Sequence, residues 1–242
     1  MAGAPIPIIL TRPEGANEAL LEQLSHRARR LLQPIISPLI RIVRLETDPD
    51  LYGVDAVIFT SSNAVRAAPE GESRMAFCVG SATTALAAEH GWHAVEAGKD
   101  ADELVETLML QEPGRFVHLA GRHRRGQVAE RLAGAGHDVS IAVLYEQRAL
   151  ELTDEALEAL CRQPVPILPL FSPRTAQLFA DQLREGDEFI PVALSRAVAG
   201  PVIGRGGRTI HILAAPNLHE MAKTIERIAF GLAWVEGSSG GE

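Results

Sequence analysis

IFTSSNA at residues 58–64 returns 111 residues later as PLFSPRT at residues 169–175, and this recurrence decides the fold. Each copy is a short apolar run followed by a hydroxyl residue and a polar stretch, the pattern of a buried strand that ends in a helix N-cap. Two more segments recur in the same order. Val79-Gly80-Ser81-Ala82-Thr83 matches Leu194-Ser195-Arg196-Ala197-Val198. A helix with Asp100 as its N-cap and Leu104 and Leu108 facing inward matches Asn217, Met221 and Ile225. Residues 8–32 also resemble 117–132, with a strand, an arginine-containing turn and a helix in each. The chain is therefore read as a diverged tandem duplication of strand–turn–helix units.

Working outward, apolar runs at 7–11, 56–60, 77–80, 116–120, 167–171, 192–194 and 210–213 predict strands, with helices after most of them. The first helix shows Leu20, Leu21, Leu24, Ala28, Leu31 and Leu32 at the spacing of one helical face. Strands alternating with amphipathic stretches predict an α/β chain with parallel sheets. Residues 34–45 and 139–150 are longer than an ordinary strand and extended-looking. They are read as two strands that pair with each other while the chain passes from one lobe to the other and back. In the second, alternation of Val139, Ile141, Val143 and Tyr145 predicts one shared face. The small, polar tail from Val235 is expected to be disordered.

With 242 residues and 46% hydrophobic content, the chain can build two cores of ordinary domain size. Cys78 and Cys161 are too few for a disulfide framework or a zinc site, which fits a reducing, cytoplasmic setting. No apolar run is long enough to span a membrane, and the first strand begins too early to leave room for a signal peptide. The net charge of −8 disfavours nonspecific nucleic-acid binding. Of 23 basic residues only Lys99 and Lys223 are lysines. A GC-rich genome is the simpler explanation of the excess, but arginine forks also suit bidentate contact with carboxylates.

The chemistry is expected in turns that follow strands, where free backbone N–H groups point outward. Thr11-Arg12, Ser61-Ser62-Asn63, Gly80-Ser81, Gly121-Arg122 and Ser172-Pro173-Arg174 are such turns. Each alone is an ordinary cap or tight turn; five together suit an anionic ligand with several carboxylates or phosphates. No metal site is expected, because a glycine turn separates His90 and His93 from any helix. The cluster Arg122-His123-Arg124-Arg125 lacks interleaved aromatics for stacking on RNA. GPVIGRGGR at 200–208 follows a helix instead of opening one, which argues against a dinucleotide fingerprint. Tyr145, one of two tyrosines, is either simply buried or a phenolic proton donor.

ILTRPEG (9–15), DAVIFTSSNAV (55–65), VGSATTALAAEHGW (79–92), HLAGRHRRGQVAERLAGAGHDVSIAVLYE (118–146) and SPRTAQLF (172–179) together resemble the uroporphyrinogen-III synthase family. The order and spacing of these segments carry the resemblance, over nearly the whole chain. It implies a cofactor-free hydro-lyase that cyclises hydroxymethylbilane, a linear tetrapyrrole, to uroporphyrinogen III with inversion of ring D. The implied fold is two open, parallel-sheet, flavodoxin-like lobes joined by a two-stranded antiparallel linker, one lobe formed from both chain ends. On this chain the lobes would be 1–34 plus 152–242 and 48–139, with linker strands 35–47 and 140–151.

By the same resemblance Tyr145 is the acid or hydrogen-bond donor near the leaving hydroxyl. Substrate carboxylates would be held by Thr11, Arg12, Ser61, Ser62, Asn63, Gly80, Ser81, Thr83, Gly121, Arg122, Ser172, Arg174, Ser195 and Arg196. Family members often carry Gly-Pro-Thr-Thr-Ala in the second copy, whereas this chain has Ser195-Arg196-Ala197-Val198-Ala199, so Arg196 is expected to replace the threonines. A cytoplasmic monomer is implied, with no metal, nucleic acid or membrane partner and a transient contact with hydroxymethylbilane synthase. The alternative is a catalytically reduced member, or a bilobal cytosolic protein that binds anions or tetrapyrroles.

Overall fold

A computed structural model of the chain describes residues 4–13, 15–124 and 126–238. From the N-terminal side come β1 (Ile6–Leu10), α1 (Glu18–Gln23), α2 (His26–Leu31), β2 (Leu32–Ile36) and β3 (Ile40–Arg44). Next are β4 (Ala56–Phe59), α3 (Ser62–Ala67), β5 (Met75–Val79), α4 (Ser81–Glu89), β6 (His93–Gly98), α5 (Ala101–Met109), β7 (Arg115–Gly121), α6 (Val128–Gly134) and β8 (Asp138–Ala149). Then follow α7 (Asp154–Leu160), β9 (Ile167–Leu170), α8 (Pro173–Ala180), β10 (Ile190–Ala193), α9 (Arg196–Ala199), β11 (His211–Ile212) and α10 (Leu218–Ser238).

β1, β4, β9 and β10 are apolar throughout because they lie inside their sheets and are covered on both faces. In β4 the side chains divide by parity. Val57 and Phe59 enter one core with Trp92 and Leu119, while Ala56 and Ile58 enter another with Leu104, Leu108 and Leu132. β1 does the same, sending Ile6, Ile8 and Leu10 to one side and Ile9 to the other. At roughly 1.5–3 kcal/mol for each large apolar side chain buried, these double-faced strands dominate stability.

One sheet has the order β11-β10-β9-β1-β2 and the other β3-β8-β7-β4-β5-β6. All pairings in the first are parallel, as are those from β8 to β6 in the second. The repeat maps β4 onto β9, β5 onto β10, β6 onto β11 and β7 onto β1, so the five parallel strands lie in the same spatial order in both sheets. The fold is thus α/β with two parallel-dominated sheets, and the chain divides into two compact units. One comprises the described residues up to Arg41 and from Ala149 on; the other is Ile42–Arg148.

Several features depart from the sequence expectation. Residues 34–45 are two strands, not one: β2 pairs with β1, whereas β3 joins the other sheet beside β8. Pro38 has no N–H for a ladder, and Ser37 and Leu39 instead donate to Leu10 and Thr11 carbonyls. The β3–β8 pair is antiparallel, since Leu45 donates to Leu144 while Leu150 donates to Leu39. β6 has no counterpart among the expected strands, because as an edge strand with His93 and Glu96 exposed it has no apolar run. The tail from Val235 continues α10 as far as Ser238, and residues 239–242 lie outside the described residues, as do Glu14 and Arg125 of the quoted motifs.

Tyr145 is also on the unexpected face. Pairing of β7 with β8 shifts between Ala120 and Gly121, so that Val143 faces Ala120 but Tyr145 faces Gly121. The extra residue, Leu144, breaks the alternation. Tyr145 consequently packs with Leu144 and Ala142, while Val139 packs in the opposite core.

Candidate active site

In an open parallel sheet, ligands gather where strand order reverses, beyond the strand C-termini. In Ile42–Arg148 this point lies between β7 and β4, and the turns there are Gly121-Arg122 and Thr60-Ser61. In the other unit it lies between β1 and β9, at Thr11-Arg12 and Phe171-Ser172. Four of the five sequence-predicted turns thus sit at switch points, and Gly80-Ser81 is one strand away.

At the first switch point, Tyr145 is 5% exposed and its hydroxyl donates to Ser61 Oγ at 3.3 Å. Ser61 caps α3, its Oγ also accepting from the Asn63 N–H at 3.1 Å. With both lone pairs engaged, the Ser61 hydroxyl proton is left for an acceptor such as a carboxylate. The phenol lies against Gly121, where an added Cβ would fall 2.5 Å from Tyr145 Cζ, so only glycine admits the ring. Arg122 follows, its N–H donating to the Tyr145 carbonyl at 2.9 Å. On the neighbouring strand end, Gly80 takes φ 74°, a left-handed value that suits glycine, and leads into Ser81. Ser62 and the buried Thr83 share a hydrogen bond of 3.3 Å, which joins the starts of α3 and α4.

At the second switch point, the Arg12 guanidinium stacks 4.4 Å above the Phe171 ring and donates to the Ala16 carbonyl at 2.6 Å. Burial there lowers its pKa from the usual arginine value, yet arginine stays charged. Thr11 is buried and its hydroxyl makes no hydrogen bond among the described residues. Ser172 caps α8 through the Thr175 N–H, and Arg174 lies half-buried in the first turn of that helix. Ser195 caps α9 through the Val198 N–H, but α9 is only four residues long, and Arg196 is exposed. The corresponding α4 has nine residues. Gly200, Pro201 and the glycines beyond them stop the second-copy helix early.

Three features lie outside the sequence expectation. The apolar pattern marks Phe171 only as the end of a strand, although an arginine elsewhere at the same switch point signals a stacking platform. His118, 2% exposed, bonds Thr60 Oγ1 through Nε2 at 3.1 Å. Burial, reinforced by the charge of Arg124, pushes its pKa down to about 4, so it is neutral. Glu146 bridges Arg122 and Arg148, a contact set by the pairing of β7 with β8 and invisible to local patterning. Among the described residues no group of three or more His, Cys, Asp or Glu is placed to hold a metal, and no helix is long and apolar enough to cross a membrane.

The chain and its fold have counterparts among known proteins. Residues 16–222 match the family model described as uroporphyrinogen-III synthase HemD. The chain is similar to the crystal structure of a uroporphyrinogen-III synthetase from Helicobacter pylori, with TM-score 0.64, 16% identity and coverage of 93% of this chain and 100% of that one. A mutant uroporphyrinogen III synthase from the extremely thermophilic bacterium Thermus thermophilus gives TM-score 0.51 and 18% identity, covering 93% of this chain and 99% of that one. A comparison with curated protein sequences finds no match. The structural likenesses establish a shared fold, the family model spans most of the sequence, and the chain belongs to the uroporphyrinogen-III synthase family, lyases of tetrapyrrole biosynthesis.

Proposed function

We propose that the chain converts hydroxymethylbilane to uroporphyrinogen III, with Tyr145 as the hydrogen-bond donor to the departing hydroxyl. The observation that carries this is the placement of the phenol: buried against Gly121, with its proton held at Ser61 beyond the end of β4. Loss of the terminal hydroxyl as water leaves an electrophilic azafulvene. Ring D attacks it through its substituted carbon, giving a spiro-pyrrolenine whose rearrangement closes the macrocycle. Free hydroxymethylbilane closes without inversion, so the protein must hold the bilane folded for the inverting attack. That is mainly a positioning task, with proton donation a secondary contribution.

Eight substrate carboxylates require many donors, and the strand ends of each unit carry a set of them. Ser61, Ser62, Asn63, Gly80, Ser81, Thr83, Gly121 and Arg122 serve in one unit, and Thr11, Arg12, Ser172, Arg174, Ser195 and Arg196 in the other. Arginine–carboxylate bonds are worth roughly 1.5–3 kcal/mol each when shielded from water. Arg12 is suited to this because Phe171 and Ala16 fix its fork before substrate arrives. The same reading takes the chain as a cytoplasmic monomer without a cofactor that receives its unstable substrate by transient contact with hydroxymethylbilane synthase.

The test is product identity. Purified protein supplied with freshly generated hydroxymethylbilane is expected to yield the type III isomer after oxidation and chromatographic separation. Type I product alone, at the rate seen without protein, overturns the proposal.

A further inference from the structure

Glu146 is the residue after Tyr145 on β8 and is turned away from it. Its Oε1 accepts from Arg148 Nε at 2.6 Å and its Oε2 from Arg122 Nε at 3.1 Å. The carboxylate is well covered, at 19% side-chain exposure, whereas the two guanidiniums are 63% and 61% exposed. Each arginine bonds through Nε alone, and the Nη groups of both make no hydrogen bond among the described residues. Two like charges converge on one carboxylate, leaving the trio with a net charge of about +1 on a chain whose total is −8. An isolated surface ion pair is worth little. What this arrangement does achieve is to fix two forks side by side with their outer edges open, while the backbone N–H of Arg122 donates to the Tyr145 carbonyl.

We propose that Glu146 holds Arg122 and Arg148 as a guanidinium pair, and that the pair receives the two carboxylates carried on neighbouring carbons of one pyrrole ring. This rests on the reaction proposed above, in whose substrate and product every ring bears an acetate beside a propionate. Arg148 is then a binding residue in its own right, and Glu146 a positioning residue that keeps the forks adjacent and offsets their repulsion. The Arg148 hydrogen bond in turn holds the Glu146 carboxyl below its ordinary pKa, so the brace stays ionised at neutral pH. A ring held by both carboxylates is fixed in rotation as well as position, which a single contact at Arg122 does not achieve.

The test uses two porphyrinogens kept reduced under argon and titrated calorimetrically into the full-length protein. Uroporphyrinogen III carries acetate and propionate on each ring; in coproporphyrinogen III every acetate is a methyl group. Wild type is expected to prefer the octacarboxylate. Arg148→Gln should weaken that binding about tenfold and change coproporphyrinogen III binding less than twofold. Glu146→Gln should lose the same preference, with unaltered circular dichroism. Arg162→Gln, which removes an equal charge from an exposed ion pair with Glu158 at the end of α7, should leave both affinities unchanged. Unchanged uroporphyrinogen III binding in Arg148→Gln, or an equal loss for both compounds, overturns the pair. A wild type that forms only the type I isomer but keeps an Arg148-dependent preference overturns the proposed reaction and supports the pair. A wild type that binds neither compound overturns the pair.

Discussion

Tyr145 reaches Ser61 only because β8 carries one more residue than its partner at Gly121. A strict alternation would have turned the phenol into the opposite core. Tyr145 stands out in the sequence by its rarity and position; which face it occupies was not legible, since a bulge depends on the neighbouring strand. Tyr145→Phe keeps the ring against Gly121 and deletes only the donor. The expected result is a fall in kcat of about ten- to hundredfold with KM little changed, measured on freshly generated hydroxymethylbilane. A kcat within twofold of wild type would leave positioning as the whole effect. His118 makes a separate, pH-dependent prediction. Its folded pKa is depressed to about 4 from an ordinary 6.5, chiefly by burial. Below pH 6.5 the unfolded chain takes up a proton that the folded chain refuses, so the contribution is complete above 6.5 and is lost as the pH falls towards 4. The loss amounts to about 3 kcal/mol at pH 4. Urea unfolding of His118→Gln should therefore decline less steeply between pH 7 and pH 4 than wild type; parallel curves would contradict it.

Elements with a strong local signal were legible, and those defined by neighbours were not. The inner strands β1, β4, β9 and β10 show as apolar runs because both faces are buried, and the duplicated helices show through their caps. β6 gives no such signal at the sheet edge, and the division of 34–45 into β2 and β3 depends on which sheet accepts each half. Of the five turns, the caps Ser61 and Ser172 were readable as residue types, whereas their location at switch points required the strand order. The repeat also conserves a device: Asp100 Oδ1 accepts from the Asp102 and Glu103 N–H groups at 2.9 and 3.0 Å, and Asn217 Oδ1 accepts from Glu220 at 2.9 Å. Glu103 reaches back to the Lys99 N–H at 2.9 Å, closing a variant of the capping box. Asp100→Ala should lower stability by about 1 kcal/mol in urea unfolding, and Asp100→Asn by much less. Equal losses for the two variants would show that the charge, and not the cap, is what α5 uses.

At the scale of the molecule, the composition argued for two cores, and the repeat argued that they are copies; neither located the cut. Halving the chain near Pro113 would separate the sequence copies but remove β7 and β8 from the sheet they share with β4, β5 and β6. The strand order explains why. The spatial sequence β8-β7-β4-β5-β6 is closed by chain that follows β6, whereas its counterpart β2-β1-β9-β10-β11 is closed by chain that precedes β9 by more than a hundred residues. One unit is therefore continuous and the other must be assembled from two distant pieces. The continuous unit has apolar cores on both faces of its sheet, anchored by Phe59 against Trp92 on one side and by Leu104, Leu108 and Leu132 on the other. A fragment of residues 40–149 retains β3 through β8 and both of those cores. It is expected to unfold cooperatively on its own, with a single sigmoidal urea transition and dispersed amide resonances. A fragment of residues 114–242 should not, because it takes β7 and β8 without β4 and β9 without β1. If 40–149 shows no cooperative transition while 114–242 does, the folding unit follows the sequence repeat and not the sheet.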